Sequence, residues 1–389
     1  MEVVEILKKL IAVKSLPGEE GGLAGVMRDL LGSAGVDKVF IDAVGNVIAP
    51  VRGGGLGVIV LEGHMDTVDA GDLTQWIVDP FAGVEVEGRV YGRGAVDMKG
   101  ALASQVKALE GLKNLDSDLY VIYTVHEEIA EGVALRHALK ESVRRRPDVI
   151  VTGEPSGLKL ALGHRGRAVV ELEISGVAAH ASMPSEAVNA LEGAASAVLK
   201  VTELSSKLPT HSILGSESSV ATLIDCSPKI QPQIPDKCVV TVDHRVVPGR
   251  DENELLKIYE NLCSEVMTHR NTKCSASVNE ELVRTWRGVE MKVKEFFPGW
   301  INNDVVMVKN LLNSLKKLYS GASRHYWRFS TDLVITSEFN ATGLGLGPGD
   351  DSLAHRPNEY VDVLELRKAV EIYRELLNTL SHHISSKVR

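Results

Sequence analysis

The sequence has no excess of basic charge and no long apolar run. Its 43 Lys and Arg residues are outnumbered by 52 Asp and Glu residues, and the formal net charge at pH 7 is −9. This balance argues against a nucleic-acid partner, which would require a basic face. No apolar run approaches the length of a membrane span, and the chain opens on an amphipathic helix without a signal-like apolar segment. We therefore expect a cytoplasmic protein with no nucleic-acid and no membrane partner.

Cysteine is also scarce. The four cysteines, Cys226, Cys238, Cys263 and Cys274, include no Cys-x-x-Cys pair. This scattered spacing favours core thiols of a cytosolic protein, although Cys226 or Cys274 could pair in a hyperthermophile. The sequence also contains no internal repeat and no low-complexity tract.

The order of the apolar segments predicts an α/β fold with an inserted second domain. Short apolar runs at 57–61, 119–125 and 148–152 alternate with helical patterns, as in a doubly wound mixed sheet. From about Arg167 the pattern changes to strands that alternate apolar and polar residues around two helices, which predicts a ferredoxin-like split βαβ unit of the α+β class. At 389 residues the chain is long enough for two domains. We expect a catalytic domain formed by residues 1–166 and 284–389, with residues 167–283 inserted as a lid or dimerisation domain.

Polar side chains follow three of the predicted strands. His64 follows the run 57–61, the pair Glu127-Glu128 follows 119–125, and Glu154 follows 148–152. Ligands bind at the carboxyl ends of strands in open α/β sheets, so these side chains are candidates for one site, together with Asp97 and His355 in loops. Imidazole and carboxylate ligands without thiolates suit zinc, cobalt or manganese in a hydrolytic site.

The adjacent acids Glu127 and Glu128 point to catalysis. Two neighbouring carboxylates at the end of an apolar strand repel each other unless a cation neutralises one of them. One can then be a metal ligand while the other is the general base toward a metal-activated water. Asp66, two residues after His64, can receive the second ring N–H of that histidine, although a lone His-x-Asp is more often an ordinary strand end.

Five motifs in this order resemble a known family, the co-catalytic zinc aminoacylase/carboxypeptidase family. It includes glutamate carboxypeptidase, succinyl-diaminopimelate desuccinylase and acetylornithine deacetylase. The resemblance covers nearly the whole chain, and the matching motifs are Gly63-His64-Met65-Asp66-Thr67-Val68, Gly92-Arg93-Gly94-Ala95-Val96-Asp97-Met98-Lys99-Gly100, Glu127-Glu128, Gly153-Glu154-Pro155 and Ala354-His355. Each motif alone is weak, but the set is highly specific.

The resemblance implies a site with two divalent metal ions, most simply zinc, with cobalt or manganese as alternatives. The implied ligands are His64, Asp97 and Glu154 for one ion and Asp97, Glu128 and His355 for the other, with Asp97 as the bridge. Glu127 would be the general base and then the general acid, and Asp66 would orient His64. The resemblance also implies that the peptide bond between Asp97 and Met98 is cis.

The resemblance further implies a homodimer formed through the inserted domain. His180 matches a histidine that reaches the partner's active site to stabilise the tetrahedral oxyanion. An ordinary turn histidine before Pro184 is the alternative. Arg245 matches an arginine that grips a substrate carboxylate, a task that suits the bidentate guanidinium. It could equally be a strand arginine paired with Asp243.

The predicted function is hydrolysis of the amide bond of an N-acyl amino acid or of a C-terminal peptide bond. A dipeptidase with the same site is the first alternative, and a catalytically silent relative that binds metal or an amino acid is the second. The stretch 327–332 replaces the glycine-rich loop of desuccinylases, so neither desuccinylase nor acetylornithine specificity is predicted. Glu131, His164 and Asp332 are assigned no role.

Overall fold

The computed structural model describes residues 1–112 and 115–388 as two units built on separate sheets. The helices are α1 Val3–Ile11, α2 Gly21–Ser33, α3 Lys99–Leu109, α4 Val133–His137, α5 Ala190–Ser205, α6 Glu252–Arg270, α7 Val305–Leu318 and α8 Val363–Val388. Short 3-10 or π-helical segments are Leu73–Gln75, Ala138–Val143, Pro184–Glu186, Asp332–Ile335 and Asp351–Leu353.

The strands are β1 Phe40–Ile41, β2 Val47–Val51, β3 Val58–His64, β4 Val84–Val86, β5 Arg89–Tyr91, β6 Asp118–Thr124, β7 Val149–Thr152, β8 Leu160–His164, β9 Gly166–Ser175, β10 Ala179–His180, β11 Thr210–His211, β12 Gly215–Ser216, β13 Ser218–Ser227, β14 Gln233–Ile234, β15 Lys237–Val246, β16 Lys273–Val278, β17 Glu280–Arg284, β18 Glu290–Lys294, β19 Phe296–Phe297, β20 Trp300–Ile301, β21 Arg324–Trp327, β22 Thr342–Gly345 and β23 Tyr360–Asp362.

The larger sheet is mixed, as the sequence predicts. Its strand order is β1-β2-β6-β3-β7-β22-β8-β20, and β21 pairs with β8. The central strands β6, β3, β7 and β22 are parallel to one another, while β2 and β20 pair antiparallel with their neighbours. The carboxyl ends of the four central strands therefore meet at one edge of the sheet.

Helices cover both faces of this sheet, because successive strand residues point to opposite sides. In β3, Ile59 and Leu61 pack with α1, α2, α3, α7 and α8, whereas Val58 and Val60 pack with α4, the segment Ala138–Val143 and the segment Asp332–Ile335. A strand buried on both faces favours apolar residues on both sides, which explains the continuous apolar run from Val58 to Leu61. The α/β class predicted from the sequence is confirmed.

The second sheet belongs to the inserted unit. Its strand order is β13-β15-β9-β16, β19 also pairs with β9, and all of these pairs are antiparallel. The helices α5 and α6 pack on one face of it, around Val170, Leu172 and Val240. The sheet therefore draws on residues from Gly166 to Phe297, further along the chain than the expected boundary at residue 283.

All four cysteines are paired, and all lie in the inserted unit. Cys226 and Cys238 form a disulfide between directly opposite positions of β13 and β15, and Cys263 and Cys274 join α6 to β16. The interpretation as core thiols is therefore wrong, because the members of each pair are neighbours in the fold although the cysteines are scattered in sequence. Separately, none of the helices in the described part of the chain has both the length and the apolar composition that a membrane crossing needs.

Candidate metal centre

The candidate ligands converge at the edge where the central strands end. His64 is the last residue of β3, Glu128 lies four residues beyond the end of β6, and Glu154 lies two residues beyond the end of β7. Asp97 lies in the turn that precedes α3, and His355 lies in the segment that follows β22. The parallel order of these strands is therefore what brings together residues that are up to 291 positions apart in the sequence.

The two oxygens of Asp97 face two different histidines. His64 Nε2 lies 2.9 Å from Asp97 Oδ1, and His355 Nε2 lies 3.1 Å from Asp97 Oδ2. Glu154 Oε1 lies 3.5 Å from His64 Nε2, and Glu128 Oε2 lies 3.0 Å from His355 Nε2. Asp97 is therefore common to two groups of three ligands. The peptide bond between Asp97 and Met98 is cis.

The two groups fit divalent metal ions. Within each group the ligand atoms lie within 4.8 Å of one another. The second carboxylate oxygen of Glu128, Oε1, is buried and has no hydrogen-bond partner, so it remains available as a ligand. One imidazole and two carboxylates in each group form a nitrogen and oxygen donor set of the kind found in catalytic metal sites. The chain therefore has a plausible binding site for divalent metal.

The electrostatics of the cluster also favour a bound cation. Burial, together with repulsion from neighbouring acids, raises the pKa of Glu127 and of Glu154 well above the usual range. Burial opposes charge on Asp97 as well, but hydrogen bonds from His355 and His64 outweigh it and lower the pKa of Asp97. Hydrogen bonds to Asp97 and Glu128 raise the pKa of His355 to about 10. Protons and metal ions therefore compete for the same ligands, and metal binding releases protons.

Asp66 makes different contacts from those expected. Its backbone carbonyl, and not its carboxylate, accepts the hydrogen bond from His64 Nδ1 at 2.9 Å, while the nearer carboxylate oxygen is 3.7 Å away. The carboxylate instead accepts the backbone N–H groups of Glu127 at 3.1 Å and Glu128 at 3.0 Å. Asp66 thus orients the ring of His64 through its backbone carbonyl, with Nε2 facing Asp97, and its carboxylate fixes the backbone of the acid pair.

Glu127 lies beside the ligands in a cleft of about 440 Å³ between the two units. Its Oε2 atom is 3.9 Å from His64 Nε2, and the residue is 6% exposed. The cleft is lined by Asp97, Glu127, Glu128, Glu131, Glu154, Arg167, Arg245, Phe329, Ser330, Asp351, Ala354 and His355. The arrangement can hold metal ions on one wall and a small ligand between that wall and the inserted unit.

Comparison with known proteins identifies the family. The family model described as Peptidase family M20/M25/M40 matches residues 60–379, which include every candidate ligand. The chain belongs to Peptidase family M20/M25/M40. As a member of this family, it is a metal-dependent hydrolase of amide bonds.

Several relatives and solved structures are similar along nearly their full lengths. The chain is 28% identical over 371 residues to YgeY of Escherichia coli K12, described as uncharacterized, covering 92% of this chain and 89% of YgeY. It is 28% identical over 406 residues to acetylornithine deacetylase of Klebsiella pneumoniae, covering 98% and 97% of the two chains. Its fold matches an M20 family metallo-carboxypeptidase of Sulfolobus solfataricus with a TM-score of 0.74 at 18% identity, covering 98% and 100% of the two chains.

Arg245 lies in the cleft of this M20 chain, but His180 does not. Arg245 donates to Asp243 from Nε at 2.9 Å and from Nη2 at 3.3 Å, so it pairs with that acid while it lines the cleft. His180 is exposed on β10, where its Nδ1 atom lies 2.7 Å from Ser182 Oγ. Within one chain, His180 contacts none of the candidate metal ligands among the described residues.

The segment 330–332 forms hydrogen bonds to the loop that carries Glu127. The sequence did not predict this role. Asp332 accepts hydrogen bonds from the backbone N–H of Gly132 and, at 2.9 Å, from Thr124 Oγ1. Ser330 donates to Glu131 Oε1 at 2.7 Å. All three contacts link residues about 200 positions apart, and local sequence patterns give no sign of such pairs.

His164 is structural in this M20 chain. Burial lowers its pKa to about 3, so the ring is neutral. Nδ1 donates to the backbone carbonyl of Arg165 at 2.9 Å, and Nε2 accepts from Thr331 Oγ1 at 3.1 Å. With both nitrogens used, the ring has no free atom for a metal ion.

Proposed function

We propose that this chain is a two-metal amidohydrolase that acts on an N-acyl amino acid or on a C-terminal peptide bond. Zinc is the proposed native metal, and cobalt and manganese suit the same ligands. One observation carries the proposal, namely the carboxylate of Asp97, whose two oxygens face histidines of two ligand groups. Hydrolytic sites that hold two ions about 3.5–4 Å apart have the room for such a shared carboxylate.

Glu127 is the proposed general base. Its carboxylate lines the cleft next to the ligands, and burial raises its pKa, which favours uptake of a proton. Divalent metal ions, when bound, supply a Lewis acid that polarises a carbonyl and lowers the pKa of water. Glu127 takes a proton from the attacking water and gives it to the leaving amine as the carbon–nitrogen bond breaks. The products are a carboxylate and a free amine.

Arg245 is the proposed site for the substrate carboxylate. It lines the same cleft as the candidate ligands, and the guanidinium presents donors in a planar fork that matches a carboxylate. Asp243 holds the same fork from one side, so it orients Arg245 and leaves the remaining donors for the substrate. Relatives named acetylornithine deacetylase and metallo-carboxypeptidase support a substrate whose amide bond adjoins an amino acid.

The experiment that tests this proposal measures amine release from matched substrates. Protein loaded with zinc or cobalt is incubated with N-acetyl amino acids, free dipeptides, N-acetylated dipeptides and the carboxyl-amidated form of each. We expect release from N-acetylated substrates and at least a 10-fold loss of kcat/KM on amidation, because one charge-assisted contact contributes about 1.5–3 kcal/mol. A requirement for a free amino group would instead favour a dipeptidase.

A catalytically silent relative is the second alternative. It would bind an amino-acid ligand tightly and release it unchanged after incubation. The intact set of six site residues argues against it, namely His64, Asp97, Glu127, Glu128, Glu154 and His355. No amine release from any substrate, by protein that holds two metal ions per chain, would reject the hydrolase proposal.

A homodimer formed through the inserted unit is part of the proposal. The strand β13 lies at the edge of its sheet and exposes Val220, Leu223 and Ile224, and Leu199 of the adjacent helix α5 is 67% exposed. An exposed apolar edge strand is a site for pairing with another chain. A dimer would also give His180 a role. This exposed histidine does not line the cleft of its own chain, and in a dimer it would be available to the cleft of the second copy.

Replacing Leu223 by aspartate is expected to produce a monomer. A charge on the apolar edge of β13 would have to be buried without a partner in the dimer. Light scattering after size exclusion measures the mass. We expect kcat to fall by about 10²–10³-fold with the loss of the oxyanion donor from the second copy. The control is the same change at Leu364, which is 77% exposed on α8. A monomeric wild type, or a fully active monomeric variant, would contradict the proposal.

The cytoplasm remains the proposed location. The two disulfides are compatible with this location in a hyperthermophile, because intracellular proteins of hyperthermophiles are often rich in disulfides. Cell fractionation with an antibody against the chain is the test.

A further inference from the structure

The buried carboxylate of Glu359 accepts hydrogen bonds from the turn that contains Asp97. Oε1 of Glu359 accepts the backbone N–H groups of Val96 at 2.7 Å and Asp97 at 3.0 Å. Oε2 accepts the backbone N–H of Gly94 at 3.1 Å and Nη1 of Arg93 at 2.6 Å. Every oxygen lone pair that an ionised carboxylate offers is thus directed at the turn from residue 93 to residue 97.

These hydrogen bonds are made away from water. Glu359 is fully buried and Arg93 is 2% exposed. Charge-assisted bonds are about twice as strong as neutral ones, and their strength rises further where the effective dielectric is low. Gly94 has a φ of +81°, a conformation that favours glycine and lets the N–H groups of the turn converge on one anion. The turn therefore has one well-determined arrangement as long as Glu359 is ionised and in place.

Glu359 also connects two ligand-bearing segments. It lies four residues after His355 and directly precedes β23, whose Tyr360 pairs with Tyr91 of β5. Its own backbone carbonyl accepts the N–H of Gly92 at 3.0 Å. The residue is absent from the lining of the cleft, so it acts without touching a substrate. A shift of Glu359 would move Asp97 relative to His355.

We propose that Glu359 is a positioning residue that orients the Asp97 carboxylate and so sets the geometry of both metal subsites. This inference rests on the proposed two-metal function. Outer partners of metal ligands typically change metal affinity by about 10–100-fold when they are replaced. Glu359 differs from most such partners because it holds the backbone of the ligand, which controls both oxygens of Asp97 at once.

The test is the variant Glu359→Gln, titrated with cobalt chloride after metal removal. The amide keeps the shape of the side chain but turns one acceptor oxygen into an NH2 group that faces N–H donors. We expect cobalt affinity to fall by about 10–100-fold and the visible d–d spectrum of bound cobalt to change. In the loaded enzyme we expect kcat to fall and KM to stay near the wild-type value, because the substrate wall of the cleft is untouched.

Glu217→Gln is the matched control. Glu217 is a buried carboxylate of the inserted unit that accepts the backbone N–H of Val247 at 3.1 Å and Arg250 Nε at 2.7 Å. We expect it to lower thermal stability as a buried Glu→Gln change does, with cobalt affinity and spectrum unchanged. Arg93→Lys is a milder second variant, which keeps the charge and loses the planar fork. It should shift the cobalt spectrum in the same direction by less.

The outcomes separate this inference from the proposed function. Wild-type cobalt affinity and spectrum in Glu359→Gln and Arg93→Lys, with only lowered stability as in Glu217→Gln, would reduce Glu359 to a structural residue and overturn the inference. A wild-type protein that binds no cobalt would overturn the proposed function as well. The inference is supported if Glu359→Gln binds cobalt more weakly and with a changed spectrum while Glu217→Gln binds cobalt as the wild type does.

Discussion

Replacing Glu127 by glutamine is expected to lower kcat by about 10²–10⁴-fold while both metal ions remain bound. A positioned general base contributes about this factor, and glutamine cannot accept the proton of the attacking water. Glu127 belongs to neither ligand group, although its Oε2 atom lies 3.9 Å from His64 Nε2. Bound metal is counted by elemental analysis, and turnover by amine release.

The adjacent residue supplies the comparison for this prediction. Glu128→Gln changes a proposed ligand, so we expect it to lose one metal ion together with activity. Glu131→Gln changes a residue in the same loop and cleft that belongs to neither ligand group; it accepts a hydrogen bond from Ser330 and lies 3.8 Å from Arg167 Nε. Its expected effect on kcat is below 10-fold. A Glu127→Gln variant that turns over like the wild type would rule out Glu127 as the base.

Replacing Asp97 by asparagine is expected to weaken both metal subsites at once. Asparagine offers one carbonyl oxygen and a donor NH2 group in place of two acceptor oxygens, so one histidine would face a donor. Replacing even an outer partner of a metal ligand lowers metal affinity by about 10–100-fold. We therefore expect Asp97→Asn to lose at least about 100-fold in affinity for each ion. Calorimetric titration of the metal-stripped variant with zinc measures this loss.

Single-subsite variants make this test specific. Glu154→Gln changes only the group that contains His64, and Glu128→Gln changes only the group that contains His355. Each is expected to leave one high-affinity ion per chain. If Asp97→Asn also retained one ion at wild-type affinity, the shared carboxylate would not be a bridge.

The sequence alone was enough to propose the candidate site residues that follow the ends of strands. A buried parallel strand has a continuous apolar run, so the polar residue that ends it is visible in the sequence, as for His64 and Glu154. Because the central strands are parallel, their ends meet and the ligands converge. The α/β class and family membership predicted from these patterns are confirmed.

Contacts between distant segments could not be predicted in the same way. Glu359 is one acid among many in sequence, and its partners lie more than 260 positions away. Asp66 has a carboxylate that bonds the backbone of Glu127, a contact that depends on how two strand ends pack. The guanidinium of Arg93 likewise pairs with Glu359, a contact that no local pattern around Arg93 indicates.

The inserted unit shows the same limit. Alternation in β9 and β15 predicted a half-exposed antiparallel sheet, and both strands show that burial pattern. The pairing of Cys226 with Cys238 depends on the register of β13 against β15, which is set by side-chain packing on one face. The proposed role of His180 depends on a second chain, and a single sequence carries no information about how two chains pair.

The most direct test of the proposed two-metal amidohydrolase measures amine release and bound metal in the same samples. The metal-stripped protein receives cobalt in steps, and an N-acetyl amino acid that is a substrate is added at each step. We expect no amine release from metal-free protein and a rate of release that reaches its maximum by two ions per chain. Release that persists without metal, or no release at two bound ions per chain, would contradict this proposal.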